Sequence, residues 1–217
     1  MATERIGVLG SGAVGQVLAN GLLKHGYDVK RGSRDPDKLA AWKQTAGPKA
    51  SIGTFAQAAS FGDTVVLSVK GDAAEAVIAH CGPGALDGRI VIDTSNPIAA
   101  APPVNGVLSY FTAQNESLME RLQRQTPGAR FVKAFSCVGS ALMVNPDLGG
   151  QKPTMFMCGN DAPAKLKVQE ILSKFGWEWE DLGAVEAARA IEPLCILWCI
   201  PGFLHNDWVH ALKLIRK

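Results

Sequence analysis

The chain has 217 residues, 47% hydrophobic and 19% charged, with Lys+Arg 22 against Asp+Glu 20 and a formal net charge of +2. Domains run to about 100–200 residues, so this length suits one well-buried α/β domain with a small appendage, and the composition excludes a disordered or fibrous chain. Balanced charge without a basic block argues against a nucleic-acid binder, which concentrates positive charge.

Arg5 to Leu9 reads as a short buried strand. Gly10-Ser11-Gly12-Ala13-Val14-Gly15 follows, after which Val14, Val17, Leu18 and Leu22 recur at helical spacing. Gly26 stands where a helix ends in left-handed backbone, and Tyr27 to Arg31 is the second strand. Asp35-Pro36 offers an N-cap and a first-turn proline to a helix carrying Leu39 and Trp42. Ala50 to Ile52 is a short edge strand, and Thr64 to Val69 is the continuous apolar run of a parallel strand covered on both faces.

Gly71 to Cys81 reads as a helix and Arg89 to Asp93 as the next strand. A long connection runs from Thr94 through Pro102-Pro103 to a polar helix over Asn115 to Gln125, and long connections are often functional. Strand Arg130 to Phe135, a loop from Ser136 to Pro153 and strand Thr154 to Cys158 come next. Asp161 caps a helix with Pro163 in its first turn, apolar residues at Val168, Ile171, Leu172 and Phe175, and Gly176 at its end; Trp177 to Leu182 is a final strand.

From Ala184 the pattern turns helical, interrupted at Pro193 and Pro201. A segment of that size cannot bury a core alone. The expected organisation is a Rossmann-like, doubly wound, mostly parallel α/β sheet over residues 1–183 with a helical cap over 184–217. The apolar residues of the cap exceed what one helical face needs, which makes a homodimer a candidate assembly.

The first residues, Met1-Ala2-Thr3-Glu4-Arg5, carry an acid and lead directly into a strand, so no leader peptide is expected. The most apolar stretch, Leu194 to Leu204, contains Pro201 and Gly202. It falls short of the roughly 20 residues of a bilayer span, so no membrane association is expected. Cysteines at 81, 137, 158, 195 and 199 are odd in number, scattered and without a Cys-x-x-Cys pair, which fits a reducing, cytoplasmic setting and no metal site. Cys195 and Cys199 share one helical face as core residues.

The glycine turn has the context that gives a G-x-G-x-x-G meaning: a strand before it, a helix after it, and a βαβ unit of about 30 residues. Gly10 permits the tight turn, Gly12 lets backbone approach a pyrophosphate, and Gly15 allows close helix–strand packing. Amides of the helix start, over Ser11, Gly12, Ala13 and Val14, then face the phosphates. An NAD site places an acid about 20 residues further on. Here Gly32-Ser33-Arg34 stands instead, with Lys38 one turn on. A hydroxyl, a guanidinium and an ammonium attract a ribose 2′-phosphate, and two charge-assisted bonds of about 1.5–3 kcal/mol each suffice for a large preference for NADP. The bland reading is a solvated basic turn neutralised by Asp35 and Asp37.

Ser68-Val69-Lys70 and Asp93-Thr94-Ser95-Asn96-Pro97 end two central strands at the carboxyl edge, where ligands of open α/β sheets bind. Asn96 either orients a carboxamide or ribose or only starts an Asn-Pro turn. No acid–base pair is evident and no catalytic residue is assigned. His25 and His80 fall at helix ends as dipole partners, Lys133 is structural, and Cys137 has no activating base. Hydride transfer between two bound rings needs stacking more than a proton relay.

Leu9 to Gly15, Gly32-Ser33-Arg34, Val132-Lys133-Ala134-Phe135 and Cys158-Gly159-Asn160-Asp161, in this order, resemble the coenzyme F420-dependent NADP oxidoreductases. The cytosolic reductase domains of six-transmembrane metalloreductases share the pattern, and the resemblance runs through nearly the whole chain. It implies NADP(H) held by Ser11 to Val14, Ser33, Arg34 and Lys38. It also implies a nicotinamide near Asn96, Pro97 and Gly139, where coenzyme F420 or a flavin stacks as the small-molecule hydride acceptor. Lys70-Gly71 stands where the family usually has a proline, and Ser136-Cys137 replaces its usual Asn-Thr. Two alternatives remain open: an NADPH-dependent reductase of a small metabolite, and an NADP-sensing module without turnover.

Overall fold

Why the chain starts as it does is visible in its burial. β1 (Arg5–Leu9) is buried from its second residue onward and is followed by α1 (Ala13–Lys24), which turns Gly15, Leu18, Ala19 and Leu22 inward. β2 (Asp28–Gly32) returns parallel to β1, with Arg5 opposite Asp28 and Leu9 opposite Gly32. The computed structural model describes residues 4–217; the expectation of no leader concerns residues 1–3 in part, and there it lies outside the described residues.

Beyond β2, Asp35 caps a 3₁₀ turn over Pro36–Leu39 that leads into α2 (Ala40–Thr45) and the edge strand β3 (Ala50–Gly53). A helix absent from the sequence expectation follows, α3 (Phe55–Ala59), whose Thr54 and Gln57 form a reciprocal capping box. That Thr-x-x-Gln spacing is a legible helix start, but the helix after it has only five residues, too few to show a periodic apolar face. β4 (Thr64–Leu67), α4 (Gly71–Cys81), β5 (Ile90–Asp93) and β6 (Arg130–Lys133) complete a parallel sheet of order β3-β2-β1-β4-β5-β6. This is the doubly wound Rossmann order, and it reverses direction between β1 and β4. The expected polar helix is α5 (Leu118–Gln125), starting later than the reading because Ser117 takes the cap with Glu120.

β7 (Thr154–Met157) and β8 (Glu178–Asp181) form a separate parallel pair joined by α6 (Ala162–Lys174), with Asp161 capping as expected. An isolated antiparallel bridge between Lys133 and Cys158 connects the pair to β6. Two apolar cores lie on opposite faces of the large sheet, one under α1 and α6, the other under α3, α4 and α5.

The carboxyl-terminal segment is helical only in part. α7 (Ala188–Ile191) and α8 (Leu194–His205) are helices, and Pro201 lies inside α8 without ending it. The carbonyl that loses its donor there belongs to Leu197, on the exposed face. Asn206, at φ 55°, ends the helix. Residues 207–217 are not helical, which corrects the expectation of a helical end; the Thr154 amide donates to the Leu212 carbonyl at 2.9 Å, so backbone pairing with β7 holds this tail instead. Val185–His205, 21 residues, is apolar enough and long enough to cross a membrane, with a mean hydropathy of 1.4 over its most apolar 18 residues, and is longer than the stretch singled out above. In this fold it is broken into short pieces, and its Arg189 and Glu192 pair with Glu120 and Lys133 of the sheet domain.

Candidate functional site

The carboxyl ends of β1, β2 and β4 open onto a cleft of about 790 Å³. Its floor is the turn from Gly10 to Val14, and each glycine has a separate cause. Gly10 has φ +143°, and a Cβ there would lie 2.3 Å from the Ser68 carbonyl oxygen. A Cβ on Gly15 would lie 2.9 Å from the Gly10 carbonyl oxygen, so helix and turn touch backbone to backbone. A Cβ on Gly12 would meet nothing within 4 Å, because that position faces the open cleft. Gly12 is the N-cap of α1 and supplies no capping side chain; the first backbone amide of the helix to donate within the chain is Gln16, to Gly12 O at 3.1 Å. The earlier amides are thus available to an anion.

One wall is basic. Ser33 is buried and its Oγ accepts from the Asp35 amide at 3.3 Å, while Arg34 and Lys38 are exposed. Among the described residues neither cation forms an ion pair with Asp35 or Asp37; the Asp35 carboxylate is engaged by the Asp37 amide at 3.3 Å.

The opposite wall was not legible beforehand. Phe55 comes from the short α3, and Ala73, Ala76, Val77 and His80 form one face of α4. His80 does sit in the last helical turn, with Nδ1 2.6 Å from the Ala76 carbonyl, yet it also lines the cleft. The ring meets Phe55 edge-on at 6.4 Å. Helical spacing of 73, 76, 77 and 80 was the available signal. Ser68, Val69 and Lys70 close the cleft from β4, and the Ser68 hydroxyl donates to Leu9 O at 2.9 Å, tying β4 to β1.

Asn96, Pro97 and Gly139 do not line this cleft; every other expected contact residue does. They follow β5 and β6 further along the same edge. Asn96 Nδ2 donates to the Ser136 carbonyl at 2.7 Å, and its Oδ1 is buried without a partner. Gly139 is packed by α8, since a Cβ there would lie 2.6 Å from the Trp198 ring.

Beneath that edge lies a buried ionic cluster. Lys133 Nζ is 2.6 Å from Asp93 Oδ2, 2.9 Å from Glu192 Oε1 and 2.9 Å from Ser95 O, and all three charged side chains are buried. Burial alone would lower the Lys133 ammonium, but Asp93 and Glu192 outweigh it and the net direction is upward. The Glu192 carboxylate also accepts from the Leu118 and Met119 amides at 3.0 Å, at the start of α5. Lys133 ends β6 rather than standing mid-strand, and its ammonium is held within this cluster. Burial pushes the Cys137 thiol up to about 11, the wrong direction for a nucleophile. Cys195 and Cys199 pack with Trp198 in a small core, and all five cysteines are free. Among the described residues no group of three or more His, Cys, Asp or Glu side chains could hold a metal ion.

Residues 5–97 match the family model of the coenzyme F420-dependent NADP oxidoreductases. The chain is 29% identical to the metalloreductase STEAP3 of Rattus norvegicus over 208 residues, which is 92% of this chain and 39% of that protein. It thus spans about two fifths of that relative's length. A solved structure from Arthrobacter sp. FB24, provisionally assigned as an F420-dependent NADP reductase, is 29% identical, covers 99% of this chain and 100% of its own, and superposes with a TM-score of 0.89. A reductive aminase from Aspergillus terreus in complex with NADPH and ethyl-5-oxohexanoate is 17% identical and covers 94% of this chain and 64% of its own, with a TM-score of 0.69; that likeness concerns the fold.

Proposed function

We propose that the chain, whose residues 5–97 match the family model of the F420-dependent NADP oxidoreductases, is an oxidoreductase that binds NADP(H) and exchanges hydride with a flat-ring partner, a deazaflavin or flavin. Residues 1–183 make up the binding unit in this reading and 184–217 the cap.

One observation carries it: the cleft joins an uncapped helix start to two unpaired cations at the position where a ribose 2′-phosphate would lie. The residues present fit the group. Amides before Gln16 are free to hold a diphosphate, and the open side of Gly12 leaves room for it. Arg34 and Lys38 attract the 2′-phosphate, and the Ser33 hydroxyl is beside them. Phe55 and His80 offer aromatic surface to an adenine ring. When bound, the nicotinamide supplies or accepts the hydride. Asn96 supports its placement near the ends of β5 and β6: Nδ2 is fixed on Ser136, so the free Oδ1 is an acceptor for a carboxamide N–H. The chain's role in the chemical step is to position two rings, since the site brings together no acid–base pair.

The test begins with binding. NADPH is expected to bind at least about tenfold tighter than NADH in a fluorescence titration, and Arg34→Ala to erase most of that difference. Equal affinities in the wild type would overturn the 2′-phosphate reading. An acceptor screen that follows NADPH oxidation then separates the possibilities: turnover with coenzyme F420 or a free flavin supports the proposal. Turnover only with small imines or carbonyls, or with nothing, hands the function to a metabolite reductase or to a sensing module.

A further inference from the structure

Arg31 sits in β2 and is 1% exposed, yet no carboxylate pairs with it among the described residues. Its guanidinium reaches beneath the glycine turn. Nη2 donates to Gly10 O at 3.2 Å and to Gly12 O at 3.3 Å, and Nε is buried without a partner. The Trp42 ring lies over the guanidinium, 4.9 Å from its carbon to the ring centroid. Asn20 Oδ1 fixes that ring by accepting from Trp42 Nε1 at 2.8 Å. Burial lowers the group to about 10, still far above neutral pH, so the charge is retained.

A buried ion without a counter-ion is costly, and buried charges are ordinarily paired or hold a ligand. The location indicates which ligand. In a trans peptide the carbonyl and the following N–H point to opposite sides. Pinning the carbonyls of Gly10 and Gly12 below the turn therefore turns the amides of Ser11 and Ala13 up towards the cleft, beside the uncapped start of α1.

We propose that Arg31 is a positioning residue for the dinucleotide's diphosphate: it orients the amides that grip the group, and the bound dianion is the counter-charge that this buried guanidinium lacks. The inference rests on the dinucleotide reading above but concerns a residue distinct from Arg34, which is exposed at the basic wall.

Arg31→Met keeps an apolar stem and removes both charge and donors. Unliganded, the variant is expected to melt at or above the wild-type temperature, because an uncompensated buried cation has gone. The rise in melting temperature produced by inorganic pyrophosphate should fall by at least about half, and the Kd for NADPH should rise about tenfold or more. Adenosine 2′-monophosphate, which has no diphosphate, should bind both proteins within about twofold. Arg31→Lys, which keeps the charge, should retain the pyrophosphate response. An Arg31→Met variant with unchanged responses to pyrophosphate and NADPH overturns the proposal, as does one that loses adenosine 2′-monophosphate to the same extent as NADPH. If Arg31→Met does not fold, Arg31→Lys decides: a retained pyrophosphate response supports the proposal and a lost one overturns it. A wild type that binds neither NADPH nor pyrophosphate overturns the dinucleotide reading, and this inference with it. That failure is told apart by appearing before any substitution is made.

Discussion

At the β1–β2 corner polar groups stand without partners, whereas around Lys133, under the ends of β5 and β6, polar groups are bonded within the chain. The first corner holds free helix amides, the exposed Arg34 and Lys38, and a buried guanidinium with no carboxylate. The second sets one ammonium against two carboxylates and closes the remaining lone pairs with Ser95, Leu118 and Met119. A folded chain satisfies its buried polar groups wherever it can. Charges left unpaired together at a sheet edge are therefore a record of what binds there, and a cluster of paired charges is a record of what holds the fold. On the second side Asn96 Oδ1 and Ser136 Oγ also lack hydrogen-bond partners, and Asp93 Oδ2 is held by the Lys133 ammonium alone.

Substitutions can break that contrast. The largest effect is expected at the satisfied corner: Lys133→Met leaves two buried carboxylates unpaired and should cost about 3–5 kcal/mol in denaturant unfolding. A loss below about 1 kcal/mol would mean that the cluster is not what ties the cap to the sheet. Next comes a pair within the turn itself. Gly10→Ala forces a Cβ to 2.3 Å from the Ser68 carbonyl oxygen at φ +143°. Strain of that kind should remove about 2–4 kcal/mol of stability. Gly12→Ala adds its methyl to open space, so stability should change by no more than about 1 kcal/mol while NADPH affinity falls about tenfold. Calorimetric unfolding and titration of both variants check this, and equal stability losses would refute the separation of roles.

The smallest effect is acid-dependent. Arg189, by hydrogen bonding, holds the Glu120 carboxyl down at about 2, below its ordinary 4.5. A depressed carboxylate contributes stability that is complete above pH 4.5 and is lost as pH falls towards 2. With Arg189 half in solvent the contribution should be about 1–2 kcal/mol. Glu120→Gln should therefore be less stable than wild type at pH 7, with the gap closing between pH 4.5 and 2. A gap that is constant across that range would assign the loss to packing.

How far the chain could be read in advance follows from the range of the interactions involved. The glycine turn, the caps at Asp35 and Asp161 and the end of α6 depend on neighbours a few residues apart, and all lie where expected. The basic wall was equally legible, because Ser33, Arg34 and Lys38 lie within one turn of the end of β2. Arg31 carried no signal: from the sequence alone it was an alternating strand residue, and its burial depends on the turn 19–21 residues earlier and on Trp42. Glu192 stands in the sequence two residues before the apolar stretch that begins at Leu194, with no local partner to mark it. Only contacts across as many as 74 residues make it the acceptor for the Leu118 and Met119 amides at the start of α5 and a counter-ion of Lys133.

Local backbone chemistry thus determined by itself that this chain forms a strand, a glycine turn and a helix, repeated into a parallel sheet, with a cation-rich exit from its second strand. Tertiary structure alone decided which charges would be neutralised and which left open, where Phe55 and His80 would stand, and that the last residues would run beside β7. The physical reason is that helix starts and turns are set by hydrogen bonds within a few residues, whereas the state of a buried charge is set by whatever the fold brings within about 3 Å of it.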